Sequence, residues 1–223
     1  MSINQSIKPI TTAINENRHL MIGGCDLSEL AEKYGTPLYV IDEATLRGIC
    51  REYKNAFREY GNIKMMYASK ALCNSAISKI LDEEGFGFDT VSAGEIYTVL
   101  NAGVDMKKVL FNGSNKSKRE IEFALNSGVG RFSVDNFYEA ELLNKIAKEK
   151  GAVVDIILRV TPGIECHTHE YIQTGQIDSK FGFDLSQLDS IIKLIKTEYE
   201  QLNLKGLHAH IGSQIFELKS FGD

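Results

Sequence analysis

A repeat of short apolar runs does most to constrain this fold. Runs at 63–68, 87–91, 109–112, 131–134 and 153–160 follow one another every 22 to 24 residues, start to start, and a sixth at 204–211 comes after a wider step. Each gap carries a helical signature. Ala76, Ile77, Ile80 and Leu81 fall at helical spacing, Ser92…Glu95 and Ser117…Glu120 read as capping boxes, and Asn136 reads as a cap. Gly85, Gly103, Gly128 and Gly151 stand where those helices stop. Strands alternating with helices predict a parallel sheet with helical crossovers. The even period, with no G-x-G-x-x-G loop after any strand, favours an α/β chain of the TIM-type (β/α)8 barrel class over an open doubly wound sheet. Six strands are expected, where a closed barrel has eight.

Ahead of the repeat, residues 1–18 read as a mobile polar lead-in. A short helix is expected over 26–34, with Asp26 as N-cap, Glu29 three residues on and Gly35 as the stop. A strand is expected over 37–41. Asp42 then caps a longer helix whose Leu46, Ile49, Cys50, Tyr53, Phe57 and Tyr60 share a face, ending at Gly61. The expected division is a lead-in with its short helix at 1–35 and a partial barrel at 36–223. A net charge of −5 gives no reason to expect nucleic acid or an anionic membrane as partner. No apolar run approaches spanning length, and the first residues lack the apolar core of a secretory signal. Cys25, Cys50, Cys73 and Cys166 form no C-x-x-C pair, so neither a disulfide framework nor a zinc ribbon is suggested, and a cytoplasmic setting is expected.

In parallel α/β folds the chemistry gathers where strands end. Those positions hold Lys70, then Asp89 with Ser92 to Glu95, then Asn112, Asp135, Arg159, the loop of His167 and His169, and His208 to Gln214. Taken singly each has a bland reading: a lysine at a strand end usually snorkels, Glu95 caps a helix and Asn112 forms a turn. Lys70 in a desolvated pocket would instead lose the advantage of its charged form and become an amine nucleophile towards an aldehyde. Six strands placing polar groups at one face favour the chemical reading. His208 and His210, two apart on a strand, share a face and could hold a divalent metal. The other strand ends offer a lysine, an arginine and scattered carboxylates, so no metal is expected.

These segments resemble the fold-type III pyridoxal-phosphate (PLP) decarboxylases, whose barrel is like that of alanine racemase. Tyr67-Ala-Ser-Lys70-Ala, Asp89-Thr-Val-Ser-Ala-Gly-Glu95, Asn112-Gly-Ser-Asn-Lys116, Arg159-Val-Thr-Pro-Gly163 and Gly206-Leu-His-Ala-His210-Ile-Gly-Ser213 match in the family's order, from about Gly24 onward. His167-Thr-His169-Glu-Tyr171-Ile-Gln-Thr174-Gly175 looks like its diaminopimelate branch. The resemblance implies a carboxy-lyase that turns meso-diaminopimelate into L-lysine, with PLP as a Schiff base on Lys70 and the ring as electron sink. It implies His210 stacked on the ring, Ser213 and the backbone at Gly212 on the phosphate, and Arg159 beneath the ring. It also implies Asp89 and Glu95 as orienting groups, and His167, His169 and Thr174 near the substrate. An ornithine- or arginine-type decarboxylase, an amino-acid racemase and a non-catalytic PLP-binding homologue remain the alternatives.

The family's pattern extends past Asp223. It implies a glycine-rich phosphate loop, a Glu-Pro-Gly-Arg segment and a C-terminal β-domain that brings a catalytic cysteine and a substrate tyrosine to a homodimer. Neither Cys73 nor Cys166 stands in a context matching that cysteine. The chain therefore reads as the N-terminal part of such an enzyme. An open six-stranded barrel exposes two edges, so alone it is expected to fold poorly and to be inactive.

Overall fold

The computed structural model describes residues 7–163, 181–213, 215 and 218–222. Two compact units emerge, Met1–Met65 with Lys79–Phe86, and Met66–Ser78 with Gly87–Asp223. The expected division between residues 35 and 36 falls inside the first unit.

The first unit opens on an antiparallel sheet that the reading of 1–18 as a mobile lead-in missed. Its strands are β1 (Ala13–Ile14), β2 (Leu20–Ile22) and β3 (Cys25–Asp26), with Ala13 opposite Met21 and Met21 opposite Asp26. Polar side chains order this segment instead of solvating it. The buried Asp26 carboxylate accepts from Asn15 Nδ2 and meets His19 Nδ1, each at 2.8 Å, while its other oxygen caps helix α1 (Leu27–Tyr34) at the Ser28 N–H. Gly35, at φ 82°, ends that helix as expected. The strand expected over 37–41 does not form. That stretch pairs with no strand among the described residues, and Tyr39 is 96% exposed. An extended run becomes a strand only where another offers hydrogen-bond partners. Helix α2 (Glu43–Ala56) starts at Asp42, whose carboxylate accepts the Thr45 N–H, and stops short of Gly61, with a 3-10 turn at Arg58–Tyr60 between. From α2, Arg47 reaches Glu83 at 2.6 Å and Glu84 at 3.2 Å, and Lys54 donates to the Glu84 carbonyl at 2.8 Å.

The second unit holds the repeat. Its strands are β4 (Met66–Ala68), β5 (Gly87–Thr90), β6 (Val109–Phe111), β7 (Arg131–Val134), β8 (Val154–Thr161), β9 (Phe183–Asp184) and β10 (Leu202–Ala209). Six of them lie in one parallel sheet in the order β10-β8-β7-β6-β5-β4, and β9 pairs with the end of β8. Spatial order therefore follows chain order. A doubly wound sheet would reverse direction at a switch point. This is the incomplete (β/α)8 barrel that the repeat predicts. The strand expected from residue 63 begins only at Met66, because its neighbour β5 begins opposite, at Gly87.

The crossovers are α3 (Ser75–Glu83), α4 (Ala93–Asn101), α5 (Lys118–Asn126), α6 (Phe137–Glu149) and α7 (Leu188–Thr197). Ser117 and Glu120 form a reciprocal capping box, as expected. At α4 the box is one-sided, since Glu95 Oε2 accepts the Val91 N–H instead of that of Ser92. Alternation along the strands divides the side chains between two faces. Phe88, Phe111, Phe132, Ile156 and Leu158 are fully buried, as are Ile96, Ile121 and Leu143 of the helices. Burying an aromatic or large aliphatic side chain contributes roughly 1.5–3 kcal/mol, so this layer holds the sheet to its helices. The other face carries the polar groups.

Candidate active site

Six strands converge on that polar face, all within the second unit. β4 runs into a 3-10 turn at Ser69–Ala71 that presents Lys70. The register sets Ala68 beside Asp89 on β5, and His208 on β10 beside Arg159 on β8. Lys70 follows in the turn, close enough for its charge to act on both Asp89 and His210. Asn112 donates to Asp89 Oδ2 at 3.3 Å, and Asp135 Oδ1 stands 3.8 Å from the Arg159 guanidinium, which also lies over the Phe181 ring at 4.7 Å.

The charges sense one another. Burial holds the Asp89 carboxyl above its ordinary range, against the pull of Asn112, Lys70 and Arg159. Burial pushes the His210 imidazole down, helped by the Lys70 and Arg159 charges. His208 is pushed down to about 4 by burial and then by Arg159, His210 and Lys116. Both rings are therefore neutral at pH 7.

Lys70 is exposed. The Gly212 N–H donates to His210 Nδ1 at 3.2 Å, and Ser213 is exposed. Glu95 turns its carboxylate to its own helix start. His167, His169 and Thr174 lie outside the described residues. Among the described residues no cluster of three His, Cys, Asp or Glu could hold a metal ion.

The sequence reading passed over Ser133 and Glu139. The Lys116 ammonium donates to Glu139 Oε1 and the Ser133 carbonyl, each at 2.7 Å, and to the Gly113 carbonyl at 2.5 Å. Ser133 Oγ lies 3.3 Å from His208 Nδ1. The available signal was Asn136…Glu139, spaced like a cap and its partner, with a glutamate whose side chain has a second task.

Residues 46–223 match the family model for the pyridoxal-binding domain of pyridoxal-dependent decarboxylases. The chain belongs to that family. It is 48% identical to the diaminopimelate decarboxylase of Halalkalibacterium halodurans over 95% of its own length and 48% of that protein's. Against the diaminopimelate decarboxylase of Synechocystis it is 46% identical over its whole length and 49% of the relative's. Among solved structures, the diaminopimelate decarboxylase of M. jannaschii in co-complex with L-lysine superposes with a TM-score of 0.83 at 37% identity, over 95% of this chain and 50% of that one. The lysine/ornithine decarboxylase of Vibrio vulnificus complexed with putrescine gives 0.72 at 26%, over 94% and 50%. The chain thus spans about half the length of the curated relatives it matches.

PLP is the family's cofactor, and the residues present fit it. Asp89 Oδ1 is buried without a hydrogen-bond partner among the described residues, ready for a polar group of a ligand. Beside it stand an accessible primary amine, a half-buried guanidinium and a neutral imidazole. These suit an aldehyde that is also aromatic and anionic. No helix among the described residues is long and apolar enough to cross a membrane.

Proposed function

We propose that this chain is the cofactor-binding part of a diaminopimelate decarboxylase, which removes carbon dioxide from meso-diaminopimelate to give L-lysine. The observation that carries the reading is the meeting of Lys70 with Asp89, Arg159 and His210 on one sheet face, in a chain whose curated relatives at 46% to 48% identity are diaminopimelate decarboxylases. Bound here, PLP supplies a sink for the electron pair released when a carboxylate leaves as carbon dioxide. Lys70 would hold the cofactor at its aldehyde through the side-chain amine. His210, uncharged, offers a flat apolar face to an aromatic ring, and Arg159 with Asp89 sets the charge around it. Gly212 and Ser213 would take the phosphate. His167, His169 and Thr174 contact the substrate on the motif they share with the diaminopimelate branch. A cytoplasmic homodimer goes with the same reading. The separated cysteines fit the cytoplasm; the homodimer comes from the family's pattern.

Borohydride reduction of the purified chain with PLP, followed by peptide mapping, tests the cofactor site. An adduct confined to Lys70, absent from Lys70→Ala, supports it; scattered labelling unchanged by the substitution refutes it. The substrate is tested by joining this chain to the remaining half of the H. halodurans relative. Carbon dioxide release from meso-diaminopimelate but not from ornithine or arginine supports the assignment. Preference for either of the others overturns it.

A further inference from the structure

Lys116 and Glu139 form an ion pair whose side chains are only 1% and 4% exposed, and neither belongs to the set assigned above. Two apolar residues of similar volume often serve a fold at least as well as a buried pair, so such a pair calls for a role beyond stability. Every donor of the Lys116 ammonium is used, on Glu139, Ser133 and Gly113, and Glu139 Oε2 accepts the Asp135 N–H at 3.3 Å. The pair therefore grips β7 at its end, at the carbonyl of Ser133 and the amide of Asp135. Those two residues turn their side chains to the site. The Ser133 hydroxyl meets His208 at 3.3 Å, and the Asp135 carboxylate faces Arg159 at 3.8 Å.

We propose that Lys116 and Glu139 are positioning residues, a buried clamp that fixes Ser133 and Asp135 and through them sets where His208 and Arg159 stand in the cofactor site. What those positions serve rests on the function proposed above; the clamp itself does not. His208 makes a local reporter, faced by Arg159 from β8, Ser133 from β7, His210 from its own strand's exit, and the Lys116 charge. Holding the ring against a hydroxyl while burying it favours its neutral form.

The decisive variant is the double substitution Lys116→Met with Glu139→Met, made in the whole chain. It also removes the Lys116 charge, itself one cause of the low His208 midpoint, so the change is read beside Lys116→Arg, which keeps that charge and alters the grip. The His208 midpoint, read by NMR from its ring proton, is expected to rise from about 4 by about one unit, a tenfold change in proton affinity. Borohydride-trapped PLP on Lys70 is expected to fall several-fold. A pair with no positioning role would leave the midpoint of the folded protein in place whatever the melting temperature does, which overturns the proposal. Should the double variant not fold, Lys116→Arg alone decides, because it keeps the charge near His208 and changes the grip on Ser133, Gly113 and Glu139. A rise in its midpoint supports the proposal, and an unchanged midpoint overturns it. If unsubstituted protein fails to label at Lys70, the function reading falls while the His208 shift still judges the clamp.

Discussion

Gly182 stands against Arg159, and Gly182→Ala measures how closely. Its φ is +80°, and a Cβ added there would lie 2.9 Å from the Arg159 carbonyl oxygen and 3.2 Å from Arg159 Cγ. Gly103, at φ +82° in the same unit, has nothing within 4 Å of its added Cβ. The left-handed conformation alone costs an alanine roughly 1–2 kcal/mol, the same at both positions. Forcing atoms into an occupied space adds about 1–3 kcal/mol, and only at Gly182. In a chain of this size each kcal/mol lowers the melting temperature by about 2–4 °C. Gly182→Ala is therefore expected to melt about 2–12 °C below Gly103→Ala when both are followed by circular dichroism. It should also lose PLP labelling at Lys70, because the displaced atoms belong to Arg159, whereas Gly103→Ala should label normally. Two variants melting within a degree of each other would refute the claim that Arg159 is packed against this turn.

Lys116→Met alone should lower stability by about 3–5 kcal/mol in urea titrations, since Glu139 is left buried without its cation, and adding Glu139→Met should restore much of the loss. His208, held near 4 in the folded chain against an ordinary 6.5, makes stability pH-dependent. The neutral ring's contribution is complete above the ordinary value and is lost as the pH falls from 6.5 towards 4. At 1.36 kcal/mol per unit the loss would reach about 3 kcal/mol, or nearer 2 for a ring not fully buried, and His208→Asn should flatten that limb of an acid titration. Burial raises Asp89, so its charge opposes folding once the pH exceeds its ordinary range; Asp89→Asn should therefore raise the melting temperature at pH 7 while weakening PLP binding. Ser117→Ala, which opens the reciprocal cap of α5, should cost about 1 kcal/mol by chemical denaturation.

Local signals carried much of the fold. The stops at Gly35, Gly85, Gly103 and Gly128 all adopt positive φ, and the caps at Asp26, Asp42, Ser92, Ser117 and Asn136 each hold an N–H of the first turn. What depends on a distant partner was not legible. The run at 37–41 has the composition of a strand, but composition cannot supply a neighbour. The strands β1 to β3 are two or three residues long, too short for alternation to register. The candidate site divides in the same way. Lys70, Asp89, Arg159 and His210 could be placed because each sits at the end of a recognisable run. Lys116 and Glu139, 23 residues apart, read singly as surface charges, and only the approach of β6 to β7 makes them a pair.

The composition of the first unit sets an order of events during synthesis. Its second segment, Lys79–Phe86, is encoded after β4, which belongs to the other unit. Arg47 and Lys54 are thus made some thirty residues before their partners Glu83 and Glu84. At about 5–20 residues per second, the ribosome leaves α2 without those partners for roughly 2–6 s. During that interval the exposed apolar side chains of a half-made unit are open to chaperones and to other nascent chains, so the first unit closes only when the barrel has already begun.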